Sequence, residues 1–302
     1  MSTTSTASSS RRSVDRGPFP VPERPAEIRA ALEKLGVRPS KGWGQSFLTD
    51  PFIADAEAAL VGVPPGRPVV EIGGGLGILT AALVRRGLRP LTVVERDARL
   101  AEHLRTVFGD RVTVLEGDAL EVRLPSADVV VGNLPYSAAT PILLAQFARR
   151  VPRVVFLVQD EVARRLAAGP SSKEYGRLSI ITQLYGSVEL YRTVPPGAFS
   201  PVPEVTSRLG VHVARTGALP VPSVPDFESL TRTLFSARRK QLGNLLPRVV
   251  PSEEAADRLA ASAEWPSDWR HLRPENLPPE AYFALGRAFR DASRASGPPR
   301  PD

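Results

Sequence analysis

Apolar runs of strand length alternate with segments of helix length through the middle of the chain. PVVEIG is followed by LTAALVRRG, PLTVVER by DARLAEHLRTVFG, then come VTVLEGDA, ADVVVGN with PILLAQFARR, and RVVFLVQ with EVARRLAA. Parallel strands need long crossovers, usually helical, and strands covered on both faces read as unbroken Val/Leu/Ile runs. The alternation therefore restricts the chain to βαβ units and a largely parallel α/β sheet with helices on both faces. Two further runs, SVELYRTV and SRLGVHVAR, have no long helix between them and are expected to pair antiparallel at one end of the sheet. LPVPSVPD, after residue 217, reads as a linker, and from Asp226 to Arg290 the pattern is helical with Pro and Trp interruptions.

The expected organisation is a tail over 1–25, an α/β domain over 26–217, a small helical domain over 218–290 and a tail over 291–302. The first segment is Ser/Thr-rich, then Pro-rich, and lacks apolar periodicity, as in disordered chains. It is also basic, hydroxyl-rich and acid-poor like an organellar transit peptide, but a plain tail is the preferred reading.

With 42% apolar residues over 302 positions the chain can bury a sizeable core. No apolar run approaches the roughly 20 residues of a membrane span, and no apolar signal segment follows the first Met, so a cytoplasmic protein is expected. The absence of Cys excludes thiol nucleophiles and Cys-ligated metals, and three scattered His make a metal site unexpected. A net charge of +7 and a pI near 10.2 suit a polyanion, nucleic acid first, because clustered Arg releases condensed counterions from phosphates.

VVEIGGGLGILT sets Glu71, Gly73, Gly75 and Gly77 where a strand becomes a helix. Glycines there admit positive φ and close approach of a ligand, and the helix N-terminus favours negative charge. The spacing is E-x-G-x-G-x-G, not the G-x-G-x-x-G of dinucleotide sites, which weighs against a dehydrogenase. Glu95 ends the second strand, 22 residues past Gly73, where a carboxylate can hold both hydroxyls of a ribose. Asp118 ends the third strand and can accept from an adenine amine, or merely N-cap a helix, as Glu95 can be merely a solvated strand end; three polar ends on consecutive strands favour a nucleoside pocket. This series of strand ends resembles the Rossmann-like S-adenosylmethionine-dependent methyltransferases, which implies a methyl donor across the carboxyl edge of the sheet.

The fourth strand ends in Asn133-Leu134-Pro135-Tyr136, where an ordinary turn would carry Gly, Asp or Ser. An exocyclic adenine amine is a poor nucleophile because its lone pair is delocalised into the ring. Acceptors for its N–H groups, the Asn133 side chain and the Leu134 carbonyl, can turn that lone pair toward a methyl group. Pro135 fixes the turn and Tyr136 offers a face to an extruded base.

KGWGQSFLTD, EIGGGLGILT, GNLPYSAATP, QDEVARRL, YGRLS, FSPVPEVTS, ARRKQLGNLL and LRPENL follow one another as in the ribosomal RNA adenine dimethyltransferases of the KsgA type, and the chain resembles that family from about residue 28 to 290. The family usually carries Asn at 46, Pro at 74 and Asn-Ile-Ser after the Tyr, where this chain has Ser46, Gly74 and Ser137-Ala138-Ala139. The resemblance implies that Gln45, Phe47 and Leu48 close over the cofactor, that Asn133 to Tyr136 hold the adenine, and that Phe199 stacks on its other face. On residues alone, an aromatic before a Pro-rich turn is as well explained as a packing plug. The expected cofactor contacts are Gln45, Phe47, Leu48, Glu71, Gly73, Gly75, Glu95, Asp118 and Asn133.

Arg238, Arg239 and Lys240 are read as a helix opening whose basic patch meets RNA phosphates, or as a solvated face. The resemblance implies N6 dimethylation of adenines in small-subunit ribosomal RNA, on the assembling subunit, by a monomer. The alternatives are the large-subunit adenine methyltransferases that confer macrolide resistance, and a non-catalytic nucleic-acid-binding factor on the same fold.

Overall fold

A computed structural model of the chain describes residues 19–39, 45–246 and 266–295. Seven strands form one sheet: β2 (Val69–Ile72), β3 (Leu91–Glu95), β4 (Thr113–Glu116), β5 (Val129–Asn133), β6 (Arg153–Gln159), β7 (Gly186–Val194) and β9 (Ser207–Ala214). Their order is β4-β3-β2-β5-β6-β9-β7. The first five are parallel, and β9 runs antiparallel between β6 and β7, so the two late strands do form an antiparallel pair at one sheet end. A separate two-residue ladder joins β1 (Phe47–Leu48) to β8 (Phe199–Ser200), bringing the start of the chain beside the loop that precedes β9.

Strand periodicity sends alternate residues to opposite helical layers. Val70 and Ile72 of β2 face α5 (Ala139–Ala148), α6 (Asp160–Ala167) and α7 (Arg177–Tyr185). Val69 faces α2 (Pro51–Leu60) and α3 (Ile78–Arg85) together with residues of α4 (Ala98–Phe108). Side chains fix several helix starts, among them Asp50, which accepts from Phe52 N at 2.9 Å ahead of Pro51, and Asp97, which accepts from Arg99 N at 2.9 Å. Such caps stabilise by about 1 kcal/mol each.

From β2 the chain moves outward to β3 and β4 and then returns to β5, on the other side of β2. Where the winding reverses, the loops after β2 and β5 diverge and leave a crevice beyond the carboxyl ends of the strands.

Residues 1–18 lie outside the described residues. Of the segment expected as a tail, Phe19 is packed: its ring centroid lies 4.9 Å from that of Phe108, with the Arg111 guanidinium 5.7 Å away. Helix α1 (Pro25–Lys34) then lays Ile28 and Leu32 over Phe47, Leu76 and Leu100.

The stretch expected as a small helical domain carries α8 (Val224–Ser236), the short α9 (Leu242–Leu245) and α10 (Pro279–Ala295), with 247–265 and 296–302 outside the described residues. It shares buried residues with the α/β part. Val221, Phe227, Leu230 and Tyr282 belong to the same buried cluster as Phe147 and Tyr175 of the α/β part. Tyr175 OH donates to the Leu277 carbonyl at 2.8 Å and Ser171 N to the Glu275 carbonyl at 2.8 Å. Arg238, Arg239 and Lys240 do not open a helix; α8 stops at Ser236 and they occupy the turn before α9. No described helix is long and apolar enough to cross a membrane.

Candidate active site

The crevice at the winding reversal is a cleft of about 1190 Å3, its open mouth included. One wall is the glycine turn after β2. Gly73, Gly75 and Gly77 have φ of +84°, +54° and +90°, a region that residues with a Cβ rarely adopt. A Cβ on Gly75 would stand 3.3 Å from the Phe47 ring, so the bare backbone is what leaves the cleft open there. Gly74, where the resembling family carries Pro, is glycine for another reason: its Cβ would meet Val93 Cγ1 at 2.4 Å and Leu104 Cδ1 at 2.7 Å. In this chain Val93 of β3 and Leu104 of α4 stand directly against the turn.

Glu95 ends β3 and is buried, with Oε2 accepting from Gly75 N at 2.8 Å and Oε1 from Asp97 N at 3.0 Å. Burial pushes its carboxyl above the usual range, while the N–H groups of Asp97, Gly75 and Arg96 pull it back. Each oxygen keeps a second lone pair directed away from these amides. Asp118 also lines the cleft; its Oδ1 caps Leu120 N at 2.9 Å, and Arg96 stands 3.5 Å from Oδ2. The capping and ligand readings of Asp118 are compatible, because the two oxygens differ.

The opposite wall is Asn133 to Tyr136. Leu134 N donates to the Leu157 carbonyl at 3.2 Å, and the Pro135 carbonyl accepts from Ala138 N at 2.9 Å, which turns the chain into α5. The walls meet: a Cβ built on Gly73 would be 3.5 Å from the Asn133 carbonyl oxygen. Tyr136 is half-buried and its hydroxyl shares a 2.7 Å hydrogen bond with Ser207 Oγ of β9. Burial raises the phenol pKa, and the Ser207 contact opposes that rise.

Gln45, Phe47, Leu48, Gly73, Gly75, Glu95, Asp118 and Asn133 to Tyr136 thus come together around one cleft. Glu71 and Phe199 do not. Glu71 is one residue short of the strand tip, so its side chain points to the α2/α3 face, where Thr80 Oγ1 donates to its Oε2 at 2.7 Å. Phe199 is 1% exposed, sealed among core residues that include Leu48, Val194 and Leu209, so its ring presents no face to the cleft. Reading the residues of the sequence missed Ser207, which reaches Tyr136 only through strand pairing, and Arg96, which enters the cleft as the residue that follows Glu95.

The model of the family "Ribosomal RNA adenine dimethylase" matches residues 38–262. The chain belongs to this family. It is 41% identical over 279 residues to "Ribosomal RNA small subunit methyltransferase A" of Anaeromyxobacter dehalogenans, covering 86% of this chain and 97% of that protein. The namesake from Deinococcus radiodurans is 41% identical over 271 residues, covering 88% and 90%. Among solved structures, a dimethyladenosine transferase from Plasmodium falciparum superposes with a TM-score of 0.71 at 23% identity, over 82% of this chain and 98% of that one, a likeness of fold. The 23S rRNA methyltransferase ErmE gives 0.63 at 25% identity, over 81% and 99%.

The protein is thus an S-adenosylmethionine-dependent methyltransferase of ribosomal RNA. The cleft fits that cofactor: a side-chain-free turn can receive the methionine part, and a buried carboxylate stands one strand away from it.

Proposed function

We infer that the protein transfers two methyl groups in succession to the N6 amine of adenines in small-subunit ribosomal RNA, on the assembling subunit. The observation that carries this reading is the meeting of the β2 glycine turn with Asn133 to Tyr136 across one cleft. When bound, S-adenosylmethionine would supply an electrophilic methyl carbon on a sulfonium that leaves as a neutral thioether, the amine shedding one N–H proton to solvent at each transfer. What remains for the protein is alignment, worth up to roughly 7–11 kcal/mol when reacting atoms are well held.

Glu95 takes the ribose hydroxyls through its outward lone pairs while its inward ones hold the turn at Gly75. Asp118 takes the adenine amine, and Gln45, Phe47 and Leu48 cover the mouth. Asn133 Oδ1 and the Leu134 carbonyl accept the two N–H groups of the target amine, and Pro135 holds that carbonyl in place. Tyr136 stacks on the extruded base, whose removal from its RNA stack costs a few kcal/mol. Phe199 can reach the other face only if the β1/β8 ladder opens. Arg239 and Lys240, on the turn before α9, contact phosphates, and the enzyme works as a cytoplasmic monomer.

The names of relatives aligned over nearly their whole length support the small-subunit substrate over the large-subunit one. The test is incubation with S-adenosylmethionine and either immature small subunits or naked large-subunit RNA, followed by mass spectrometry of nucleosides. N6,N6-dimethyladenosine from the small subunit is the expected product. Methylation confined to the large-subunit RNA would overturn the assignment.

A further inference from the structure

Tyr136 does not stand by its own packing alone. Its hydroxyl reaches Ser207 Oγ at 2.7 Å, across 71 residues of sequence. Ser207 is fully buried at the start of β9, paired to Gln159 of β6 on one side and to Val194 of β7 on the other. The next residue, Arg208, is ion-paired to Asp160, which Arg164 also holds at 2.7 Å. A serine so fixed holds the tip of the Tyr136 ring, and with it the direction in which the ring projects from the end of the NLPY turn.

The demand on that ring changes between the two transfers. Unmodified adenine offers two N–H groups to the acceptors at Asn133 and Leu134, but N6-methyladenine offers one. After the first transfer one of the two orienting hydrogen bonds is gone, and base orientation rests more on the stacking face. We propose that Ser207 is a positioning residue for the second methylation, acting by holding Tyr136 in register with the half-modified base. This rests on the methyl-transfer reading above and adds to it a residue that selects the extent of modification.

The test compares wild type, Ser207→Ala, Tyr136→Phe and the double variant on immature small subunits in single-turnover reactions, resolving mono- and dimethyladenosine over time. Cofactor affinity and thermal midpoint are measured alongside. Ser207→Ala should slow the second transfer relative to the first by about three- to tenfold, roughly 0.7–1.4 kcal/mol, and so accumulate monomethyl product. Tyr136→Phe, which removes the same bond from its other end, should match it, and the double variant should be no worse than either. Equal slowing of both steps, an unchanged product ratio, or additive losses would overturn the proposal. A wild type that dimethylates while Ser207→Ala keeps the ratio sinks this inference alone, whereas a wild type that methylates neither position sinks the function assigned above.

Discussion

Glu57 on α2 is the side chain whose replacement most directly tests the electrostatics of the molecule. It is fully buried, neither carboxyl oxygen has a hydrogen-bond partner, and burial pushes its pKa up to about 8. Across the same interface lies Glu71 of β2, raised well above its ordinary value by burial and further by the charges of Glu57 and Glu95. Between the ordinary value of 4.5 and about 8 the folded protein holds a proton at Glu57 that the unfolded chain has lost. Stability from this group is therefore complete below the unfolded pKa and falls as pH rises through the folded one. The slope is about 1.4 kcal/mol per pH unit, or roughly 5 kcal/mol over the whole window.

Glu57→Gln keeps the shape and cannot titrate, so urea unfolding between pH 6.5 and 8 should lose about one proton's worth of slope while Glu71 keeps its own. Glu57→Leu also removes the orphaned oxygens, whose burial costs about 1–3 kcal/mol. It should raise the thermal midpoint by several degrees, at about 2–4 °C per kcal/mol for a chain of this order of size. Transfer activity should persist, since Glu57 does not line the cleft. A Gln variant with the wild-type slope, or a Leu variant that melts earlier, would refute the reasoning.

Asn133→Ala should abolish transfer while leaving cofactor affinity by calorimetry within a few-fold, if its amide serves the target amine as proposed; retained turnover would remove that role. Glu95→Ala should weaken cofactor binding by an order of magnitude or more, since it removes the carboxylate proposed for the ribose and, with it, the Gly75 tether of the turn; unchanged affinity would take Glu95 off the ribose. Arg238 is already bonded to Glu275 at 2.8 and 2.9 Å, so replacing Arg238, Arg239 and Lys240 together should lower the salt slope of RNA binding by about two, not three, and an unaltered slope would mean a solvated face. His212 is fully buried against Phe147 with its pKa lowered to about 4 by burial, so its contribution is present above the unfolded pKa and is lost as pH falls toward 4; His212→Phe, which cannot titrate, should flatten that acid limb in urea titrations, and an unchanged limb would place the protonation elsewhere.

The order of strand runs, the glycine turn, the strand-end carboxylates Glu95 and Asp118 and the NLPY turn were legible in the sequence because each depends on local chemistry. Unbroken Val/Leu/Ile runs specify strands covered on both faces, and the E-x-G-x-G-x-G turn marks a place for positive φ and close approach. What the sequence could not say is which way a side chain points once two layers have chosen the strand's two faces. Glu71 and Ile72 are neighbours, yet strand pleating sends Glu71 to Thr80 and Ile72 to the cleft. Phe199 looks like a stacking wall in the linear text, and only the pairing of β8 with β1 buries it. Helix α7 escaped notice because IITQLY is rich in residues equally suited to strands, and its packing against α5, α6 and α8 decides the outcome. The Ser207–Tyr136 contact joins residues far apart in the chain, so it exists only after β9 has inserted between β6 and β7. Local sequence determined the kinds of elements and the chemistry at their ends; long-range pairing, which fixes faces and distances, decided which of those ends share one cleft.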